Sequence, residues 1–88
     1  MTTYVYIELK NPSTHIWLAV DDHDDPRHLA RREVGRLREL HEESEAPTAF
    51  DHELTFYDAS ELLDKPLGDL STMPTQLFFR LQREAAAI

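Results

Sequence analysis

The chain has 88 residues, enough for one domain with a single core, and its 41% hydrophobic and 30% charged residues are typical of a globular protein. It has no cysteine, which excludes a disulfide framework and a thiolate metal site. The formal net charge of -8 opposes binding to a nucleic-acid backbone, and no apolar segment approaches the ~20 residues that span a bilayer. Since the N-terminus also lacks a signal-peptide pattern, we expect one soluble, cytoplasmic domain over residues 1–88 without a nucleic-acid or membrane partner.

The N-terminal residues predict a β-hairpin. Residues 3–10 alternate between two faces, with Val5, Ile7 and Leu9 pointing one way. A turn cluster follows at residues 11–14, in which Pro12 presets the backbone. Residues 15–21 alternate again, with Ile16, Leu18 and Val20 on one face. Two alternating segments joined by a short polar turn are typical of a hairpin.

A helix is predicted from Pro26 to about Ser44. Asp24 or Asp25 is a suitable N-cap, and proline is favoured at the first helical position. At about 100° per residue the apolar side chains then form one stripe, wide enough to lie across a sheet. Five of the nine basic residues fall in this segment: Arg27, Arg31, Arg32, Arg36 and Arg38. They form either a solvated helix face or a basic surface that docks an acidic partner.

The C-terminal half predicts two more strands. Residues 50–58 form the third strand, with Leu54 and Phe56 inward. Residues 59–75 contain Pro66, Gly68 and Pro74, so we expect a loop with a short helical turn whose leucines and Met73 plug one end of the core. Residues 76–82 form the last strand and 83–88 a tail beyond an ordered core of about 3–82. In that strand the side chains predicted to point inward are those of Leu77, Phe79 and Leu81. Those predicted to point outward are Phe78 and Arg80.

The predicted order, ββαββ with one helix over one sheet face, is an α+β domain. The hairpin "TYVYIELKNPSTHIWLAVD" resembles the opening hairpin of ubiquitin, and "LTFYDASELLDKPLGDLSTMPTQLFFRLQ" resembles its second half. The chain is therefore similar to the ubiquitin-like superfamily over residues 4–81, in architecture and loop pattern more than in residue identity. This resemblance implies a β-grasp roll, a mixed ββαββ sheet with one helix packed across one face. A different ββαββ domain with its own strand order is the alternative.

The resemblance stops at the C-terminus. Ubiquitin and the sulfur-carrier members of its superfamily act through a terminal diglycine, whereas this sequence has only Gly35 and Gly68 and continues after Leu81 as "QREAAAI". We therefore expect a non-covalent protein-binding module rather than a covalent modifier. By analogy alone, the resemblance implies a subunit or adaptor of a secretion or oxygenase-type complex.

Two surfaces are candidates for partner binding. The outer sheet face, opposite the predicted helix, is rich in aromatic side chains and has an arginine, the composition of an interaction hot spot. Its residues are Tyr4, Tyr6, Trp17, Thr55, Tyr57, Phe78 and Arg80. The arginines of the helix are the second surface. Aromatic cross-strand pairs also stabilise a sheet without any partner, and a homodimer is an open alternative.

The sequence predicts neither an enzyme nor a cofactor or metal site. His23 and His28 straddle the helix start, and His41 falls on the apolar stripe, where a core-edge histidine is commoner than a ligand. No nucleophile turn or glycine-rich phosphate loop occurs. A different class remains: a small acidic inhibitor of the phage anti-defence type. Its acidic residues would mimic nucleic acid or fill a basic groove of the target, and they are Asp21, Asp22, Asp24 and Asp25.

Overall fold

The computed structural model describes residues 2–10, 13–45, 49–64 and 70–87, apart from the side chain of residue 63. These residues form six elements: β1 (Thr3–Lys10), β2 (Ser13–Val20), α1 (Pro26–Glu43), β3 (His52–Tyr57), α2 (Ala59–Leu63) and α3 (Thr75–Ala86). The three strands make one antiparallel sheet in the order β2-β1-β3. The prediction of an α+β fold is confirmed.

The predicted hairpin is confirmed, with β1 paired to β2 from Thr3↔Val20 to Lys10↔Ser13. The predicted turn residues Asn11 and Pro12 lie outside the described part of the chain. β1 is the central strand, since β3 pairs with its other side from Tyr4↔Tyr57 to Leu9↔His52. Alternation of β-branched and aromatic residues in β1 suits a strand that is covered on both faces.

The predicted helix is also confirmed, with its N-cap at Asp25. The Asp25 carboxylate accepts a 3.0 Å hydrogen bond from the Arg27 amide, which satisfies one of the free donors of the first turn. The helix ends at Glu43, and the amide of its C-cap Ser44 donates a 3.1 Å hydrogen bond to the Leu40 carbonyl. Its apolar stripe packs on one sheet face, in a buried cluster of Val5, Ile7, Val20, Ala30 and Val34.

The predicted last strand is wrong, because residues 75–86 are helical. The prediction used the alternation of Leu77, Phe79 and Leu81, but the same segment also carries apolar residues at helical spacing. Leu77, Phe78 and Leu81 pack inward, whereas Phe79 is 57% exposed. The order of described elements is therefore ββαβαα, and the predicted ββαββ layout is not seen in them. Residues 83–86, assigned to a tail, continue this helix.

The two C-terminal helices cover the second face of the sheet. The buried cluster there consists of Tyr4, Trp17, Ala59, Leu62, Leu70, Met73 and Leu81. The prediction that residues 59–75 contribute to the core is thus confirmed for Leu62, Leu70 and Met73, while Leu67 lies outside the described residues. The sheet is a middle layer between α1 on one side and α2 with α3 on the other. One apolar cluster lies between the sheet and α1, and a second lies between the sheet and the two C-terminal helices.

Candidate functional site

The aromatic sheet face predicted to bind a partner is covered by helices, so the prediction that it is exposed is wrong. Tyr4 has no exposed surface and Trp17 is 8% exposed. Tyr6 and Tyr57 are half-buried and pack against the same cluster, and Phe78 reaches it from α3 rather than from a strand. Thr55, also predicted on this face, is half-buried and pairs with Tyr6 across the strands. Tyr4 and Trp17 are therefore not accessible to a partner while α2 and α3 remain in place.

The aromatic rings instead pack against one another across the strands. The ring centroids of Tyr6 and Trp17 are 4.8 Å apart, and those of Trp17 and Tyr57 are 6.2 Å apart. The indole N–H of Trp17 donates a 3.0 Å hydrogen bond to the Thr72 hydroxyl in the segment before α3. These contacts support the alternative given for the aromatic residues, namely that cross-strand pairs stabilise the sheet.

Arg80, predicted on the outer sheet face, lies on α3 and joins the helix to the sheet. Its Nε donates to Glu84 at 3.0 Å, and its Nη2 contacts Thr2 at 3.2 Å and the carboxylate of Asp21. The hydrogen bonds to Glu84 and then Asp21 raise the pKa of Arg80. Glu84 was not among the residues predicted from the sequence, although a glutamate four residues after an arginine is a familiar helical pair.

The acidic run at 21–25 is exposed but partly engaged within the fold. Asp21 pairs with Arg80, and Asp25 caps α1. Asp21 and Asp22 also line a cavity of about 410 Å³ together with Thr2, His23, Ala59, Glu84 and Ala87. The described residues include no group of three or more side chains that could hold a metal ion.

The five arginines of the predicted basic surface are exposed on α1: Arg27, Arg31, Arg32, Arg36 and Arg38. They do not form one surface. At about 100° per residue, the first, second and last share one stripe of the helix, and the other two lie roughly 100–180° away from it. The guanidinium carbon of Arg38 is 5.3 Å from the ring centroid of Phe50, which lies in the segment just before β3.

Arg32 and Arg36 lie beside the edge strand β2. With neighbouring residues they line an open groove of about 370 Å³, which we call the α1–β2 groove: Leu18, Ala19, Val20, Leu29, Arg32, Glu33 and Arg36. Arg36 is paired to Glu33, and the hydrogen bond to that carboxylate raises the pKa of Arg36. Arg32 makes no hydrogen bond or ion pair with any described residue. The groove thus combines an apolar floor with a guanidinium that can bind a carboxylate.

A second open surface lies on the outer side of α3. Phe79 is exposed there, in a shallow groove of about 730 Å³ lined also by Gln76, Gln82, Arg83 and Ala86. Phe79 was predicted to lie in the core, because the strand interpretation put it on the inward face.

Among the residues that the structure describes, none of the helices combines the length and the apolar composition needed to span a bilayer.

Comparison with known proteins found no family model, no curated protein and no solved structure that matches this chain.

Proposed function

We propose that this protein is a non-covalent protein-binding module that recognises an acidic segment of its partner at the α1–β2 groove, and that it acts as a subunit or adaptor of a larger assembly. The observation that carries the proposal is Arg32, an exposed arginine with no partner among the described residues, placed beside the apolar edge of the sheet. Binding, not catalysis, is the role that this arrangement supports.

Charge supports the choice of an acidic partner. The chain carries a net charge of -8, yet the α1–β2 groove holds two arginines, Arg32 and Arg36, and a single acidic residue, Glu33. A locally positive groove on a negative protein steers an acidic segment to one place, while the rest of the protein repels it. Arginine also suits this task because its planar guanidinium binds a carboxylate through two parallel hydrogen bonds.

The ubiquitin-like assignment remains a prediction. The hairpin and the helix packed across one sheet face support it. The antiparallel pairing of all three described strands, and a helix at residues 75–86 where the resemblance implied a strand, depart from the mixed ββαββ sheet that the resemblance implied. A role in a secretion or oxygenase-type complex depends on that assignment and therefore has no support from the groove.

The acidic-inhibitor hypothesis makes a different prediction. It needs the carboxylates of residues 21–25 to be available to a partner, whereas Asp21 pairs with Arg80 and Asp25 caps α1. Neutralising Asp22 and Asp24 leaves both of those contacts in place. Loss of partner binding in that variant would favour the inhibitor over the proposed module.

The proposal is tested by affinity purification of the tagged protein from its native cells. The wild type is compared with Arg32→Glu/Arg36→Glu and with the matched control Arg27→Glu/Arg31→Glu. The two variants change the net charge equally, but the control alters the other stripe of α1. We expect a partner with an acidic segment to be retained by the wild type and the control, and lost by the groove variant.

Three results would contradict the proposal. The first is equal retention of the partner by the groove variant and the wild type. The second is a failure of the wild type to enrich any protein above the level of an unrelated acidic domain. The third is release of the bound material by nuclease, which would assign the arginines to nucleic acid. Far-ultraviolet circular dichroism confirms that both variants are folded.

A further inference from the structure

We infer that the acidic segment binds as an extended strand added to the free edge of β2, so that the sheet of this protein gains a fourth strand from its partner. The inference rests on the proposed function and specifies how the partner is held. Main-chain hydrogen bonds to β2 would supply most of the contact, and Arg32 and Arg36 would select the acidic side chains.

Within the described parts of the chain, β2 is an edge strand with no neighbour on its outer side. The sheet order is β2-β1-β3, so β2 pairs only with β1 among the described residues. In an antiparallel ladder, alternate residues direct their N–H and C=O groups away from the partner strand. Half of the β2 main chain therefore presents donors and acceptors to the outside that no described strand pairs with, next to the open α1–β2 groove.

The β2 edge also lacks the features that usually prevent strand addition. Natural edge strands are protected by charged side chains, proline, bulges or short length. β2 is eight residues long, pairs in unbroken register, and its sequence STHIWLAV contains no acidic residue, lysine, arginine or proline. The other edge, β3, is shorter and carries Glu53, which pairs with Lys10 at 3.9 Å. The two edges are thus unequal, and β2 is the one open to pairing.

The position of the arginines defines the side-chain pattern of the added strand. Leu18 and Val20 belong to the cluster under α1. Arg32 and Arg36 line the same groove as these two residues, so the arginines lie on the α1 side of the β2 edge. Side chains alternate between faces in a strand, so acidic residues at every second position would all point toward α1. Asp21 and Asp22 follow β2 directly, and like charge disfavours an acidic residue placed beyond Val20.

Charge argues against a second copy of this chain as the occupant. Antiparallel pairing of two β2 edges about a two-fold axis would place both copies of α1 on one face of a continuous sheet. Arg32 and Arg36 of each copy would then face those of the other across the seam. This juxtaposition of like charges opposes the dimer, whereas an acidic strand from another protein relieves it.

The test uses a fluorescein-labelled eight-residue peptide that alternates valine and glutamate and matches β2 in length. Its affinity is measured by fluorescence anisotropy, and its site by backbone amide shifts and hydrogen exchange. A control peptide has the same sequence with N-methyl groups on alternate amides, which blocks strand pairing but keeps every charge. A second control has the same composition with the glutamates grouped at one end.

We expect the alternating peptide to bind, with slowed exchange of the outward β2 amides, and both control peptides to bind at least roughly tenfold more weakly. The Arg32→Glu/Arg36→Glu variant should lose the peptide, and Arg27→Glu/Arg31→Glu should keep it. Equal binding of the alternating and both control peptides would overturn strand addition while leaving acidic recognition intact. Absence of peptide binding at millimolar concentration, or a concentration-dependent dimer that excludes the peptide, would also overturn the inference. The proposed function fails separately, when the groove variant keeps its cellular partner.

Discussion

The Tyr4 hydroxyl donates a 2.8 Å hydrogen bond to a carboxylate oxygen of Glu84, which lies 80 residues further along the chain. The other carboxylate oxygen accepts hydrogen bonds from Thr2 at 2.6 Å and from Arg80 at 3.0 Å. Burial, followed by the hydrogen bond to Glu84 and its negative charge, raises the pKa of Tyr4. The pair fastens the first strand to the last helix, and so holds α3 over the aromatic face of the sheet.

Removing the Tyr4 hydroxyl should destabilise the protein more than removing an exposed one. Tyr4→Phe leaves an oxygen of Glu84 without its donor, which we expect to lower the free energy of unfolding by about 1–2 kcal/mol. Tyr6→Phe is the matched control, because its hydroxyl contacts exposed His15, where water can replace it. Urea denaturation followed by circular dichroism measures both values.

A double-mutant cycle with Glu84→Gln then tests whether Tyr4 acts through Glu84. Residues that share a hydrogen bond should show a coupling energy of at least about 0.5 kcal/mol. Strictly additive effects of Tyr4→Phe and Glu84→Gln would mean that the two side chains do not interact. Equal losses in Tyr4→Phe and Tyr6→Phe would equally contradict the proposed contact.

The Glu84 contacts also predict a dependence of stability on pH. Desolvation alone raises the pKa of Glu84, but hydrogen bonds from Thr2, Tyr4 and Arg80 outweigh it, so the pKa is lowered. A glutamate in the unfolded chain has a pKa of about 4.3. Below that pH the unfolded chain binds more protons than the folded one, so stability rises with pH. The contribution of Glu84 is therefore present above about pH 4.3 and is lost as pH falls through its lower folded pKa.

Glu84→Gln should consequently lose less stability than the wild type as the pH falls below about 4.3. Urea titrations at a series of pH values provide the comparison. Asp58 contributes in the same direction in both proteins, since hydrogen bonds from the Ser60 hydroxyl and the Glu61 amide lower its pKa. If the variant and the wild type show the same dependence of stability on pH, protonation of Glu84 does not affect the free energy of unfolding.

The first half of the fold could be predicted because local signals and tertiary structure agree there. Alternation in β1 and β2 specified both faces of the hairpin, and Asp25 with Pro26 marked the start of α1. The last element was missed because four apolar residues within the seven-residue segment 76–82 are compatible with both a period of two and a period of 3.6. The run of alanines at 85–87 and the Arg80–Glu84 pair were helical signals that the strand interpretation left unused.

The candidate site was only partly predictable for a related reason. The density of arginines in α1 is visible in the sequence, but their separation into two stripes matters only once the neighbours of the helix are known. Arg38 lies over Phe50, whereas Arg32 lines the groove beside β2. The aromatic face was misassigned because its exposure depended on the last element, so one wrong element also moved the predicted site.

The single tryptophan reports directly on whether the second sheet face is covered. Trp17 is 8% exposed and bonds to Thr72, so its native emission should be blue-shifted and poorly quenched by iodide. Unfolding in urea should shift the emission to the red and make quenching several-fold more effective. Equal iodide quenching in native and unfolded protein would show that α2 and α3 do not cover this face.

Alanine substitutions in the last element distinguish a helix from the strand that the sequence first indicated. In a strand, Phe79 and Leu81 share one face, so truncating either would open the core. In α3, Leu81 has no exposed surface while Phe79 is 57% exposed. We therefore expect Leu81→Ala to lower the free energy of unfolding by about 2–5 kcal/mol and Phe79→Ala to change it by about 0.5 kcal/mol or less.

Phe78→Ala completes this comparison, because its ring is the immediate neighbour of Phe79 but packs against the aromatic face. A helix predicts losses for Phe78→Ala and Leu81→Ala, with Phe79→Ala close to wild type. A strand predicts losses for Phe79→Ala and Leu81→Ala, with Phe78→Ala tolerated. Urea denaturation of the three variants separates these patterns. If Phe79→Ala is the most destabilised, residues 75–86 are not the helix described and the aromatic sheet face becomes available to a partner again.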